Sequence, residues 1–135
     1  LCIELKIAVV EQDEKESGLR KILNYGHTYA HALEKLTKYK KYTHGECVVE
    51  GICFAMNLSQ KLNLIDREYK FLCEDLIQKY GYKPLLKFDK NKIIEVMQTD
   101  KKATAEYIKF IIPTGYATVK EHNFNPEELK NLIYA

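Results

Sequence analysis

Tryptophan is absent from this 135-residue sequence, and proline and methionine occur only 3 and 2 times. With 6 glycines, no stretch has the Pro- and Gly-rich character of a low-complexity or collagen-like chain. The 4 cysteines (Cys2, Cys47, Cys53 and Cys73) form no CxxC pair, which argues against a cysteine zinc site. Cys47 and Cys53 fall in an apolar helical run and read as small buried hydrophobes, so nothing requires an oxidising compartment. No apolar run is long enough to span a membrane and no signal-peptide pattern opens the sequence, so the cytoplasm is the expected location. Charge of one sign is also lacking. Lys and Arg total 21 against 19 Asp and Glu, a net +2, and the two signs are mixed throughout. Such a balance gives no electrostatic footprint for nucleic acid. The densest basic patch, Lys38, Lys40 and Lys41 with Tyr39 and Tyr42 between them, reads as a solvated loop. There is no glycine-rich phosphate loop and no βαβ run, so no nucleotide-binding half is expected within the chain.

What is present is the composition of one globular domain, 46% hydrophobic and 30% charged, over residues 1–135. The first residue, Leu1, stands inside an apolar periodic segment, LCIELKIAVV, which reads as a helix remnant of a longer protein. EQDEKESG interrupts it, and Ser17 is a candidate N-cap for a second helix reaching about Thr37. KYKKYT is a connector. A long, largely buried helix is expected from His44 to about Leu62, another from Arg67 to Lys79, and a short one from Asn91 to about Gln98. Tyr107 to Pro113 and Ala117 to Glu121 alternate around Thr114-Gly115 as a small hairpin. Asn125, Pro126, Glu127 and Glu128 open a last helix, with Pro near N1 and acid in the first turn. The expected fold is mainly α, multi-helical with one small β-hairpin.

Chemistry concentrates in ESGLRKILNYGHTYAHALE. At about 100° per residue, with Arg20 at zero, Asn24 lies at about 40°, His27 at about −20° and His31 at about 20°. Ile22, Tyr25, Tyr29, Leu33 and Leu36 lie opposite. An ordinary solvent face would show this amphipathicity too, but would favour Lys, Glu and Gln. This stripe holds two histidines at i and i+4 and an asparagine. Gly26, placed in the helix interior by this reading, costs about 1 kcal/mol relative to Ala there and implies close approach of another group. His44, at the probable head of the next helix, adds a third imidazole. Zinc accepts neutral imidazoles, and a catalytic zinc keeps three protein ligands and one open position. From spacing, His27/His31 and His27/His44 are both possible ligand pairs.

At these residues the sequence resembles the 3-dehydroquinate synthase family. The matching strings are EKESGLRKILNYGHTYAHALE, THGECVVEGICFAMNLS and DKKATAEYIKFIIPTG, in family order together with KIAVVEQDE. The resemblance implies the C-terminal α-helical, metal- and substrate-binding domain of an enzyme that uses NAD and zinc, cobalt or another divalent metal. That enzyme converts 3-deoxy-D-arabino-heptulosonate 7-phosphate to 3-dehydroquinate and phosphate in the shikimate route. The chemistry implied is transient oxidation by NAD, phosphate elimination, reduction, ring opening and an aldol closure. The N-terminal NAD-binding domain is implied to be absent from this chain. So is the glutamate that supplies the third metal ligand, and the chain alone is expected to be inactive. A homodimer is implied for the whole enzyme.

Residue by residue, the resemblance makes His27 and His44 the metal ligands and His31 an active-site histidine near the substrate phosphate. Arg20, Asn24 and Lys6 match substrate-binding positions, and Glu16 matches an acidic catalytic-site position. Without the resemblance Lys6 is an ordinary solvated lysine and Glu16 a helix-dipole partner. Of Lys101 and Lys102 in DKK, one is expected to reach the phosphate, Lys101 being preferred. Cys47, where the family often carries alanine, reads as packing. The alternatives are a different sugar-phosphate cyclase and a non-catalytic helical interaction domain.

Overall fold

The structure is a computed structural model that describes residues 24–38, 40, 42–82, 90–100, 107–115 and 118–134. The described elements are helices α1 (His27–Leu36), α2 (His44–Lys61), α3 (Arg67–Lys79) and α4 (Lys90–Asp100), strands β1 (Ile108–Gly115) and β2 (Thr118–Phe124), and helix α5 (Pro126–Tyr134). The mainly helical reading with one antiparallel hairpin is therefore met. None of the helices is long and apolar enough to cross a membrane, among the described residues.

Helix α2 is the axis of the domain. Thr43 caps it with a reciprocal box: its hydroxyl accepts from the Glu46 amide at 3.2 Å, and the Glu46 carboxylate accepts from the Thr43 amide at 3.0 Å. The helix buries Cys47, Cys53, Phe54, Ala55, Met56 and Leu58 because α1, α3, α5 and β1 all lie against it. One core cluster joins Tyr29, Ala30 and Leu33 of α1 to Phe54 and Leu58 of α2, Ile93, Ile94 and Met97 of α4, and Phe110 and Phe124 of the hairpin. Four aromatic rings run through it in sequence. Tyr29 stacks on Phe54 at 4.6 Å, Phe54 meets Phe110 at 5.6 Å, and Phe110 meets Phe124 edge-on at 5.7 Å.

Strand β1 is buried at Ile108 and from Phe110 to Pro113, so its second half loses the alternation of a half-buried strand. The buried Ser59 hydroxyl of α2 donates to the Pro113 carbonyl. Thr28 of α1 donates to the Lys109 carbonyl at 2.7 Å. Thr114 and Gly115, where the hairpin was expected to turn, still belong to β1, and Gly115 pairs with Thr118. The register slips between Pro113 and Gly115, and that slip carries the strand beyond the point where alternation of side chains ended it. At the far end, the Asn125 side chain accepts from the Glu127 amide at 2.8 Å and opens α5 as expected.

The helix expected from Ser17 to Thr37 is corrected. Asn24 is 3₁₀-helical, Tyr25 and Gly26 form a turn, and α1 begins only at His27, with Gly26 as its N-cap at φ 80°; the expected Ser17 cap lies outside the described residues. A left-handed residue cannot carry a right-handed helix onward. Gly26 takes this conformation where it lies on α2. A Cβ on it would meet the Val48 carbonyl and the Ile52 side chain at 2.8 Å. The reciprocal contact is closer still, with a Cβ on Gly51 standing 1.9 Å from the Gly26 carbonyl oxygen. The close approach inferred at Gly26 is thus real, and its partner is the backbone of α2. Ile22 of the expected apolar face lies outside the described residues, whereas Tyr29 and Leu33 are buried and Leu36 is half-buried.

Candidate functional site

The site lies where α1 and the start of α2 face one another. His27 is half-buried at the first position of α1, directly after the Gly26 contact, and His31 stands exposed one turn on. His44 is the first residue of α2, fixed there by the Thr43 cap. The ring centroids of His27 and His44 are 5.4 Å apart, those of His27 and His31 5.8 Å, and those of His31 and His44 6.4 Å. Two imidazoles on one tetrahedral zinc, at about 2.0–2.1 Å per bond, place their centroids about 5 Å apart. His27/His44 is the pair nearest that spacing.

Tautomers decide whether such rings can hold a cation. His27 Nδ1 lies 3.1 Å from the Tyr25 carbonyl oxygen, and His44 Nδ1 lies 2.9 Å from Glu34 Oε1. Both oxygens can only accept, so each Nδ1 must carry the proton it donates. In the neutral imidazole the lone pair is then on Nε2, at the other edge of each ring. The donor set therefore fits a borderline cation such as zinc. It is also incomplete: among the described residues no three His, Cys, Asp or Glu side chains converge to hold a metal.

The other residues expected at the site divide. Asn24 is described, exposed and 3₁₀-helical, separated from α1 by the Tyr25-Gly26 turn, and therefore not on the α1 line with His27 and His31. Lys6, Glu16, Arg20, Lys101 and Lys102 lie outside the described residues. In the basic patch Lys38 and Lys40 are exposed, as a solvated loop requires, whereas Tyr42 packs against the core. Cys47 is fully buried, as a packing residue would be, and burial pushes its thiol up to about 11.

Sequence reasoning passed over Glu34. It follows His27 by seven positions and His31 by three, which puts all three on one face of α1, and HTYAHALE contains that signal. It also passed over the role of the Tyr25 carbonyl, which no side-chain pattern reveals.

Comparison with known proteins places this chain in a family. Residues 1–103 match the sequence profile described as 3-dehydroquinate synthase C-terminal. The 3-dehydroquinate synthase of Alkaliphilus metalliredigens (strain QYMF) is 41% identical over 134 residues, 98% of this chain and 38% of that protein. That of Campylobacter fetus subsp. fetus (strain 82-40) is 41% identical over 123 residues, 90% of this chain and 36% of that protein. The chain thus spans little more than a third of the length of these curated relatives. Among solved structures, 2-deoxy-scyllo-inosose synthase, complexed with carbaglucose-6-phosphate, NAD+ and Co2+, superposes with a TM-score of 0.80 at 24% identity. That match covers 98% of this chain and 39% of the other. The 2-epi-5-epi-valiolone synthase ValA from Streptomyces hygroscopicus subsp. jinggangensis 5008, with NAD+ and Zn2+ bound, gives 0.77 at 15% identity, over 95% of this chain and 36% of the other. These two likenesses speak to the fold, and the sequence match speaks to the family: the chain belongs to the 3-dehydroquinate synthase C-terminal domain family.

Proposed function

We propose that this chain is the metal- and substrate-holding domain of a 3-dehydroquinate synthase, working with an NAD-binding domain supplied by the rest of the protein. The full protein would convert 3-deoxy-D-arabino-heptulosonate 7-phosphate to 3-dehydroquinate and phosphate, in the cytoplasm and as a homodimer. The observation that carries the reading is the matched pair His27 and His44, each with Nδ1–H committed to an oxygen acceptor and Nε2 left for a ligand. When bound, a divalent metal would polarise a substrate oxygen and NAD would accept and return hydride.

The residues of this chain divide the remaining work. His27 and His44 hold the metal, and a glutamate from an earlier segment of the protein completes the set. His31, exposed beside the pair, donates a hydrogen bond to the substrate phosphate and can exchange a proton with it. Arg20, Asn24, Lys6 and one of Lys101 and Lys102 bind the anionic groups of the sugar acid. Glu16 is the further acid-base residue. Identity of 41% to a 3-dehydroquinate synthase over 98% of this chain supports this substrate.

The test is metal content after dialysis together with phosphate release in the full-length protein. His27→Ala and His44→Ala should each lose the metal, whereas His31→Ala should keep it and lose turnover. An emptied site in His31→Ala would overturn the ligand assignment. Turnover of a different sugar phosphate in place of the heptulosonate would move the protein to another cyclase, and tight metal without turnover of any would leave an interaction domain.

A further inference from the structure

Glu34, which meets His44, is used by neither the metal nor the substrate assignment. Its side chain is only 15% exposed, whereas the His44 side chain it meets at 2.9 Å is 57% exposed. Two ordinary explanations are weak. An ion pair with a largely exposed imidazole contributes little to stability. A carboxylate near a helix N-terminus is favourable as a cap or dipole partner, but Thr43 and Glu46 already close the head of α2 through the reciprocal box. Glu34 bonds the ring, not an amide.

We infer that Glu34 is a positioning residue, whose carboxylate locks His44 in its Nδ1–H tautomer and aims the opposite nitrogen at the metal. The inference rests on the metal reading above. The helical spacing provides the means. His27, His31 and Glu34 share one face of α1, so the helix that presents one ligand from its first turn grips the other from its last. The distance between the two ligating rings is thereby set by a single rigid element on one side and the Thr43 cap on the other. A carboxylate behind a ligating imidazole also raises its basicity, and losing such a partner weakens metal binding about 10–100-fold. Gln at this position keeps an oxygen that can accept from Nδ1–H, whereas Ala keeps none.

The experiment uses the full-length protein, with Zn2+ affinity measured by competition against a chelating indicator. The visible spectrum of the Co2+-loaded protein and the 15N shifts of labelled histidines in the metal-free protein accompany it. Glu34→Ala should weaken zinc binding about 10–100-fold, alter the Co2+ spectrum and give His44 a mixed tautomer. Glu34→Gln should keep the tautomer and lose less affinity. Unchanged zinc affinity in Glu34→Ala, with the metal lost in His44→Ala, overturns the role of Glu34 alone. Retention of the metal in His44→Ala sinks the metal reading instead. Should Glu34→Ala fail to fold, the wild-type protein still decides, because an Nε2–H tautomer at His44 is incompatible with the inference.

Discussion

Replacing Gly51 by alanine sets two well-measured effects against each other. By helix propensity, Ala in the middle of α2 should gain about 1 kcal/mol over Gly. By sterics it cannot be accommodated in place. The new Cβ would stand 1.9 Å from the Gly26 carbonyl oxygen and 2.8 Å from its carbonyl carbon. Non-bonded heavy atoms settle at about 3.5–4.0 Å, so the first turn of α1 has to retreat by more than about 1 Å. The obstacle is backbone, with no rotamer to swing away, which puts the overpacking cost at the upper end of about 1–3 kcal/mol. The net expectation for Gly51→Ala is destabilisation of about 2 kcal/mol. Because His27 follows Gly26 directly, the same retreat separates the His27 and His44 rings and, if they hold the metal as proposed, should weaken its binding. Gly45→Ala is the control. It lies in the same helix, beside His44, and a Cβ there meets nothing within 4 Å. Denaturant midpoints of the full-length protein, with slopes compared to exclude a change in the unfolded state, and zinc retention on dialysis would be measured for both. If Gly51→Ala matches Gly45→Ala in midpoint and keeps its zinc, the backbone contact does not set the position of α1, and the account of the fold at this point is wrong.

Two further outcomes follow from buried groups. Ser59→Ala should cost about 1–3 kcal/mol, because it removes a buried hydrogen bond to the Pro113 carbonyl; the unfolding midpoint of the variant checks it. Stability should also fall on the alkaline side. Burial pushes the Cys53 thiol from 9.0 up to about 12 and holds the Tyr25 and Tyr29 phenols above their ordinary range. The folded state therefore keeps protons that the unfolded state releases, and stability present below pH 9 should decline as pH rises from 9 towards 12. Denaturant unfolding from pH 8 to 11 would show it, and a flat profile would contradict the burial of these groups.

The long helices were legible because α2 and α3 carry local signals that tertiary structure does not override. Thr43 with Glu46, and Asp66 accepting from the Tyr69 amide, mark both helix starts in sequence. The opposite faces of α1 were legible too, since Tyr29 and Leu33 recur at helical spacing and are buried. What failed was the helix boundary before His27. Gly26 reads as a tolerated helix interior residue unless its partner is known, and that partner, Gly51, lies on another helix. No local pattern encodes a contact between two backbones. The candidate ligands were legible as residue types, but their order of proximity was not. Spacing left His27/His31 and His27/His44 equal, and only the packing of α1 on α2 brings the second pair nearest. Glu34 was hidden for the same reason, because its partner His44 lies on the other helix.

Tyr29 stands between His27 and His31 in the sequence and points the opposite way, into the run of rings that reaches Phe124. That run fixes the rotational phase of α1. A histidine reaches about 6 Å from its helix axis, so turning α1 by about 10° would carry the imidazoles sideways by about 1 Å. Misplacement on that scale costs catalysis about a hundredfold. The hairpin, which contributes no expected ligand, thus acts as the indexing pin of the proposed site: a truncated ring at Phe110 or Phe124 would be read out at the histidines of α1, elsewhere in the fold, as a helix turned slightly out of phase.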